Sequence, residues 1–187
     1  MRQRVRRIVT GHHPDGRSMI MISDDGPNMT EIKGWAGLWV TELWTSEEMP
    51  IDNKRRDDRG ARKMRHDPGP NGTIFRIVEI PPESSSSPID AKAAFGHLGS
   101  ENKPNAKDSA KHQSMHKTNS VDYLVVISGE MSMVMEDGEI LLKQGDCIIQ
   151  RGTNHAWVNK SGKPCVLAAV LVDAVAVVCT ENLTRID

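Results

Sequence analysis

Two stretches decide how this chain is read: MHKTNSVDYLVVISGE at 115–130 and GDCIIQRGTNHAWVN at 145–159. His116 stands at the head of one β-prone run and His155 in a later one, with glycine-centred turns between them. Around them the pattern is strand after strand. Val121–Ser128 ends at Gly129. Met131–Met135 and Glu139–Leu142 flank Asp137-Gly138, a two-residue hairpin signal. Turns at 143–146, 151–154 and 161–164 separate Cys147–Gln150, His155–Asn159 and Cys165–Asp173. Short strands at this spacing predict an all-β sandwich or closed barrel. In such a barrel, strands distant in sequence meet, so the two imidazoles can share a pocket.

Working outward, residues 1–82 read as strands and a loop that pack on the barrel. Arg6–Thr10, Arg17–Ser23, Trp39–Trp44 and Thr73–Ile80 are β-prone, the last stopped by Pro81-Pro82. Residues 52–72 are charged with mixed signs, which predicts a solvated loop rather than a nucleic-acid patch. Residues 83–115 read as a lid or linker, with a short helix expected over Ile89–Leu98 between Asp90 and Gly99. Residues 116–173 form the core and 174–187 a tail, all within one structural domain.

The composition narrows the function. A chain of 187 residues suits one domain, and a net charge of −1 gives no field to draw nucleic acid or an anionic membrane. No run approaches the ~20 apolar residues of a membrane span. The basic start, with Arg2, Arg4, Arg6 and Arg7, has no apolar run behind it and reads as a solvated edge. Cys147, Cys165 and Cys179 make no C-x-x-C spacing, so buried free thiols in a reducing cytoplasm are expected.

The run from His116 to Asn159 resembles the paired motifs of the cupin superfamily, over roughly residues 112–173. His116 fits the first histidine of the first motif and Gly129 its closing glycine. Gly145, Gly152, His155 and Asn159 fit the second. Thr118 stands where a second histidine is expected, Asp122 where a glutamate is expected, and Gln150 where a proline is expected. The longer pattern, FRIVEIPP at 75–82 with QRGTNHAW at 150–157, resembles a subgroup that includes fungal cupin-domain oxidoreductases of aromatic polyketide clusters. The resemblance implies a jelly-roll-like double-stranded β-helix barrel with an N-terminal strand arm.

It also implies candidate chemistry. His116, Asp122 and His155 give two imidazoles and a carboxylate, the ligand types of a facial triad for a divalent metal such as Fe, Mn or Zn. Asp122 reaches roughly 1.5 Å less far than glutamate. Thr118 offers a hydroxyl instead of an imidazole, and His112 is a possible replacement. Alternation puts Trp157 and Asn159 on the face of His155, so Trp157 is a candidate substrate wall. Arg151, Thr118 and Asn159 are the other candidate substrate contacts, Arg151 for a carboxylate or phenolate. Tyr123 falls on the opposite face from Asp122. Trp39 and Trp44, five apart, face opposite sides of a regular strand, and one of them suits a homodimer interface.

Three functions stay open. The leading one is a metal-assisted oxidoreductase acting on an aromatic or carboxylated metabolite. The second is a metal-independent isomerase, dehydratase or decarboxylase with His116, His155 and Asp122 as acid and base. The third is a small-ligand-binding protein without turnover. No nucleotide or flavin cofactor is indicated.

Overall fold

The computed structural model describes residues 4–85, 88–100, 109 and 111–177. Among the described residues there are eleven strands and one α-helix: β1 (Arg7–His12), β2 (Ser18–Asp24), β3 (Met29–Glu31), β4 (Trp39–Ser46), β5 (Thr73–Ile80), α1 (Ala91–His97), β6 (Ser120–Ser128), β7 (Glu130–Met135), β8 (Glu139–Lys143), β9 (Cys147–Arg151), β10 (His155–Val158) and β11 (Cys165–Asp173). A six-stranded sheet runs β3-β4-β5-β11-β6-β9, and a three-stranded sheet runs β10-β7-β8. All pairings are antiparallel. The main core includes residues of both sheets, among them Leu124, Val126 and Leu167 of the large one and Met131 and Leu142 of the small one.

Alternation explains which residues point inward. In β6 Ser120, Asp122, Leu124 and Val126 are buried, while Tyr123, Val125 and Ile127 are exposed. In β5 Ile74, Arg76 and Ile80 are buried. β11 lies between β5 and β6 and contributes Leu167, Ala169 and Leu171 to the interior. His116 and His155 exchange two backbone hydrogen bonds of 2.9 Å, which tie the segment before β6 to β10. The turns need glycine where the chain doubles back tightly. Gly129 has φ +79°, and a Cβ there would lie 2.6 Å from the Pro164 carbonyl oxygen.

Several expectations change. β3, β4 and β5, all within residues 1–82, are hydrogen-bonded strands of the large sheet. Only β1 and β2 form a separate pair. Arg7 is buried rather than solvated, because Asp24 and Asp58 both bind its guanidinium and the Leu43 carbonyl accepts from it. The 52–72 segment is solvated only in part, since Gly60 and His66 are buried. A bulge between Glu42 and Trp44 shifts register, so Trp39 opposes Glu79 and Trp44 opposes Phe75, both on the outer face of the sheet. Cys147 is exposed, while burial pushes the Cys165 thiol up to about 11. Residues 174–177 add no strand. Cys179, residues 1–3 and most of the polar 101–110 segment lie outside the described residues.

α1 begins at Asp90, whose carboxylate accepts from the Ala93 N–H, as an N-cap does. Its buried face, Ala94 and Phe95, packs into the main core beside Trp35 and Leu38.

Candidate functional site

One cavity of about 100 Å³ lies inside the barrel. Its polar lining is His66, Arg76, His116, Thr118, Asp122 and His155. Trp35, Phe95, Trp157 and aliphatic residues of β4, β5, β6 and β11 make the rest. For scale, a dry cavity of ~150 Å³ accommodates benzene.

The two motif histidines are held in the same way. His116 Nδ1 lies 2.9 Å from the Ser114 carbonyl oxygen, and His155 Nδ1 lies 2.9 Å from the Thr153 carbonyl oxygen. A carbonyl only accepts, so each Nδ1 carries the proton and each Nε2 keeps its lone pair. The rings sit 4.5 Å apart, centroid to centroid. Burial holds His116 well below its ordinary value, with the nearby His155 and His66 adding to the effect. Burial likewise takes His155 down to about 4. At neutral pH both imidazoles are uncharged acceptors.

Asp122 behaves oppositely. Burial pushes its carboxyl up to about 6, against a hydrogen bond from Ser120 and the nearby His66 and Arg76, which favour the anion. Thr118, Ser120 and Asp122 alternate along one face of the chain. The Ser120 hydroxyl lies 2.8 Å from Thr118 Oγ1 and 2.6 Å from Asp122 Oδ1. It has one proton. When that proton goes to the carboxylate, Thr118 supplies the other, giving a short hydroxyl relay that ends on Asp122.

Two polar lining residues come from outside the motifs. His66, in the loop before β5, stacks edge-on against His116 at 5.0 Å and against Phe95 at 5.5 Å. Its Nδ1 lies 2.8 Å from the Asp67 carboxylate. Arg76 of β5 fixes that loop by donating to the Arg65 and His66 carbonyls. It also forms a 2.8 Å ion pair with the buried Glu42. The sequence did carry a signal for Arg76: it is a charged residue on the inward stripe of an apolar strand. Nothing local marks His66, because its position depends on how the loop folds back.

Of the candidates read from the sequence, His116, Thr118, Asp122, His155 and Trp157 line this cavity. The other three do not. Arg151 is exposed at the end of β9, where alternation turns Ile148 and Gln150 inward instead. Asn159 follows the last residue of β10 and turns away from the cavity. Its amide donates to the Ile80 and Lys163 carbonyls and its oxygen accepts from Ser161, so it pins a turn. His112 is engaged by Ser114 at 2.7 Å and Glu83 at 2.8 Å, away from the cavity lining. Tyr123 is exposed on the outer face.

Two Nε2 lone pairs, each backed by a carbonyl on Nδ1, suit imidazole ligation. Among the described residues, however, no group of three or more His, Cys, Asp or Glu side chains is arranged to hold an ion. Thr118 occupies the place of the missing imidazole. The residues present do not complete a metal site of the kind the sequence suggested.

The cupin domain family model (Cupin_2) matches residues 101–172. Over 160 residues the chain is 29% identical to the phomopsin biosynthesis cluster protein C' of Diaporthe leptostromiformis, covering 83% of this chain and 70% of that protein. Over 178 residues it is 27% identical to the cupin-domain-containing oxidoreductase fogC of Aspergillus ruber, covering 91% and 73%. Among solved structures, the polyketide cyclase RemF of Streptomyces resistomycificus superposes with a TM-score of 0.42 at 15% identity, covering 92% of this chain and 80% of that one.

Proposed function

Since this chain carries a cupin domain, we propose that it is a cupin-type enzyme that moves protons on a small, largely apolar substrate bearing hydroxyl groups. The observation that carries this reading is the pairing of a carboxyl titrating at about 6 with two neutral imidazoles in one apolar cavity. A carboxyl at that value exchanges protons readily near neutrality. Asp122 takes a proton from the substrate and returns it at a second atom. The Nε2 atoms of His116 and His155 accept hydrogen bonds from substrate hydroxyls and orient them. Trp35, Phe95 and Trp157 favour a ring, and the cavity volume favours a single one. Isomerisation, dehydration and decarboxylation all fit this proton shuttle. Unpaired Cys147 and Cys165 support a reducing compartment such as the cytoplasm.

A second reading is a metal-assisted oxidoreductase of an aromatic or carboxylated metabolite. It is favoured by the oxidoreductase name of the Aspergillus ruber relative and by the paired Nε2 lone pairs.

Metal analysis of protein purified without chelator comes first. Metal-free protein is then incubated in deuterium oxide with single-ring enolisable ketones and phenolic carboxylates, and proton exchange is followed by NMR. Exchange by metal-free protein that is lost in Asp122→Asn supports the proton shuttle. Turnover that appears only with Fe(II) or Mn(II) overturns it in favour of the second reading. Under that reading Thr118→His tightens metal binding at least tenfold by calorimetry.

A further inference from the structure

Three imidazoles line the cavity, and they differ in what holds Nδ1. For His116 and His155 it is a backbone carbonyl, that of Ser114 and that of Thr153. For His66 it is a carboxylate, with Nδ1 2.8 Å from Asp67 Oδ1. The difference decides which ring can hold a second proton. A ring protonated on both nitrogens over a carbonyl is a buried charge without a counter-ion. Over a carboxylate it is an ion pair. His66 is 8% exposed, and its ring packs edge-on against both His116 and Phe95. Asp67 also borders an outer cleft with Arg65, Asn119 and Asp173. One end of the dyad therefore reaches the surface while the other lines the cavity.

The proton shuttle requires a group that none of the motif residues supplies. When Asp122 takes a proton from carbon, charge develops on a substrate oxygen, which then needs a proton donor. Neutral His116 and His155 present only lone pairs at Nε2. The Thr118 hydroxyl serves the relay to Asp122 through Ser120. Arg76 is engaged by the Arg65 and His66 carbonyls and by Glu42. The indole N–H groups of Trp35 and Trp157 donate hydrogen bonds but do not give up the proton.

We propose that His66 is a further catalytic residue: paired with Asp67, it gives its Nε2 proton to the substrate oxygen that gains charge. The proposal rests on the proton-shuttle reading and narrows its substrate to an enolisable carbonyl compound of one ring. Asp122 removes a proton from carbon, and the C–H electron pair becomes the C=C bond of an enol. The carbonyl π pair moves to oxygen, which takes the Nε2 proton. The return step reverses both transfers at a second carbon. Asp122 gives up its proton there and the enol hydroxyl returns its own to Nε2, so both residues end as they began. Asp67 is a positioning residue that holds Nδ1 and balances the charge of the ring.

The test uses the metal-free full chain with 2-hydroxycyclohexanone in deuterium oxide. His66→Phe, which keeps a ring in place, is expected to lower kcat about a hundredfold with KM within about threefold. His66→Gln restores an N–H and should recover about tenfold of that loss, and it serves if the phenylalanine variant does not fold. Asp67→Ala should lower kcat about tenfold. Nitrogen-15 NMR reads the His66 ring apart from turnover. Both nitrogens should be protonated in wild type, Nε2 should lose its proton in Asp67→Ala, and phenol, a planar mimic of the enol, should shift Nε2. Exchange that is lost in Asp122→Asn but runs at the wild-type rate in His66→Phe overturns the role of His66 and leaves the shuttle standing. If metal-free wild type exchanges nothing, the shuttle itself fails. A protonated Nε2 that phenol shifts then still supports His66 as the donor to a ligand oxygen, and a bare Nε2 that phenol does not move overturns it.

Discussion

At the scale of single residues, the site depends on buried groups whose protonation opposes their solution habit. Asp122 is the first case. Its carboxyl resonance is expected to titrate near pH 6, read by carbon-13 NMR. The Ser120 hydroxyl favours the anion, so Ser120→Ala should raise that midpoint further. An unchanged midpoint would show that the relay from Thr118 does not reach the carboxylate. The histidines make the second case, and their sign is opposite. His155 titrates at about 4 against an ordinary 6.5, so the unfolded chain binds its proton first as pH falls. Stability from His155 is therefore present above 6.5 and lost as pH drops toward 4, by about 2 kcal/mol at pH 5. His116 acts in the same direction. Asp122 holds its proton up to about 6 against an ordinary 3.8, so its contribution rises as pH falls through 6. Two imidazoles outweigh one carboxyl. Thermal stability should decline between pH 7 and pH 5, and decline more steeply, by about 1 kcal/mol, in Asp122→Asn. A flat melting profile over that range would contradict the buried neutral pair.

At the scale of elements, turns set the strand registers that bring these side chains together. Gly152 joins β9 to β10 with φ +62°, and a Cβ there would lie 2.8 Å from the Thr118 carbonyl. Gly152→Ala combines a left-handed backbone with a clash against the segment that carries Thr118. It should cost about 2 kcal/mol in denaturant unfolding and shift the Thr118 and Ser120 amide resonances. An alanine variant as stable as wild type would mean the turn relaxes without moving its neighbours. Strand positions were legible in the sequence, because alternation and glycine turns are local signals. Trp39 and Trp44 were not, because a bulge changes which side a residue faces without leaving a mark in composition. Asn159 differs from the expectation for a related reason: β10 ends at Val158, so strand alternation does not reach position 159, where the amide satisfies turn carbonyls.

At the scale of the whole molecule, a buried charge cluster holds β4, β5 and the 52–72 loop in place. Glu42, 2% exposed, meets Arg76 at 2.8 Å and Arg62 at 3.7 Å. Burial lowers Arg62 from its ordinary value, with Glu42 acting against that effect. Removing the carboxylate leaves the buried guanidinium of Arg76 uncompensated. Glu42→Ala should therefore cost about 3–5 kcal/mol. The pair Glu42→Leu with Arg76→Met should recover much of that loss in chemical denaturation while displacing His66, seen as a shift in its ring resonances. A double variant no more stable than Glu42→Ala would place the importance of the cluster elsewhere.

An all-β chain and the approximate place of nearly every strand were legible in the sequence, because alternation and turn chemistry act over a few residues. That His116, Asp122, His155 and Trp157 share a pocket was an expectation of the family resemblance. Tertiary structure alone decided that His66 and Arg76 join the pocket and that Arg151, Asn159 and His112 stay out of it. It also made Asp122 hold its proton up to about 6 while the histidines remain neutral. Those outcomes depend on burial and on contacts between residues far apart in the chain. Only the assembled barrel removes enough water to shift a carboxyl upward and an imidazole downward in the same cavity.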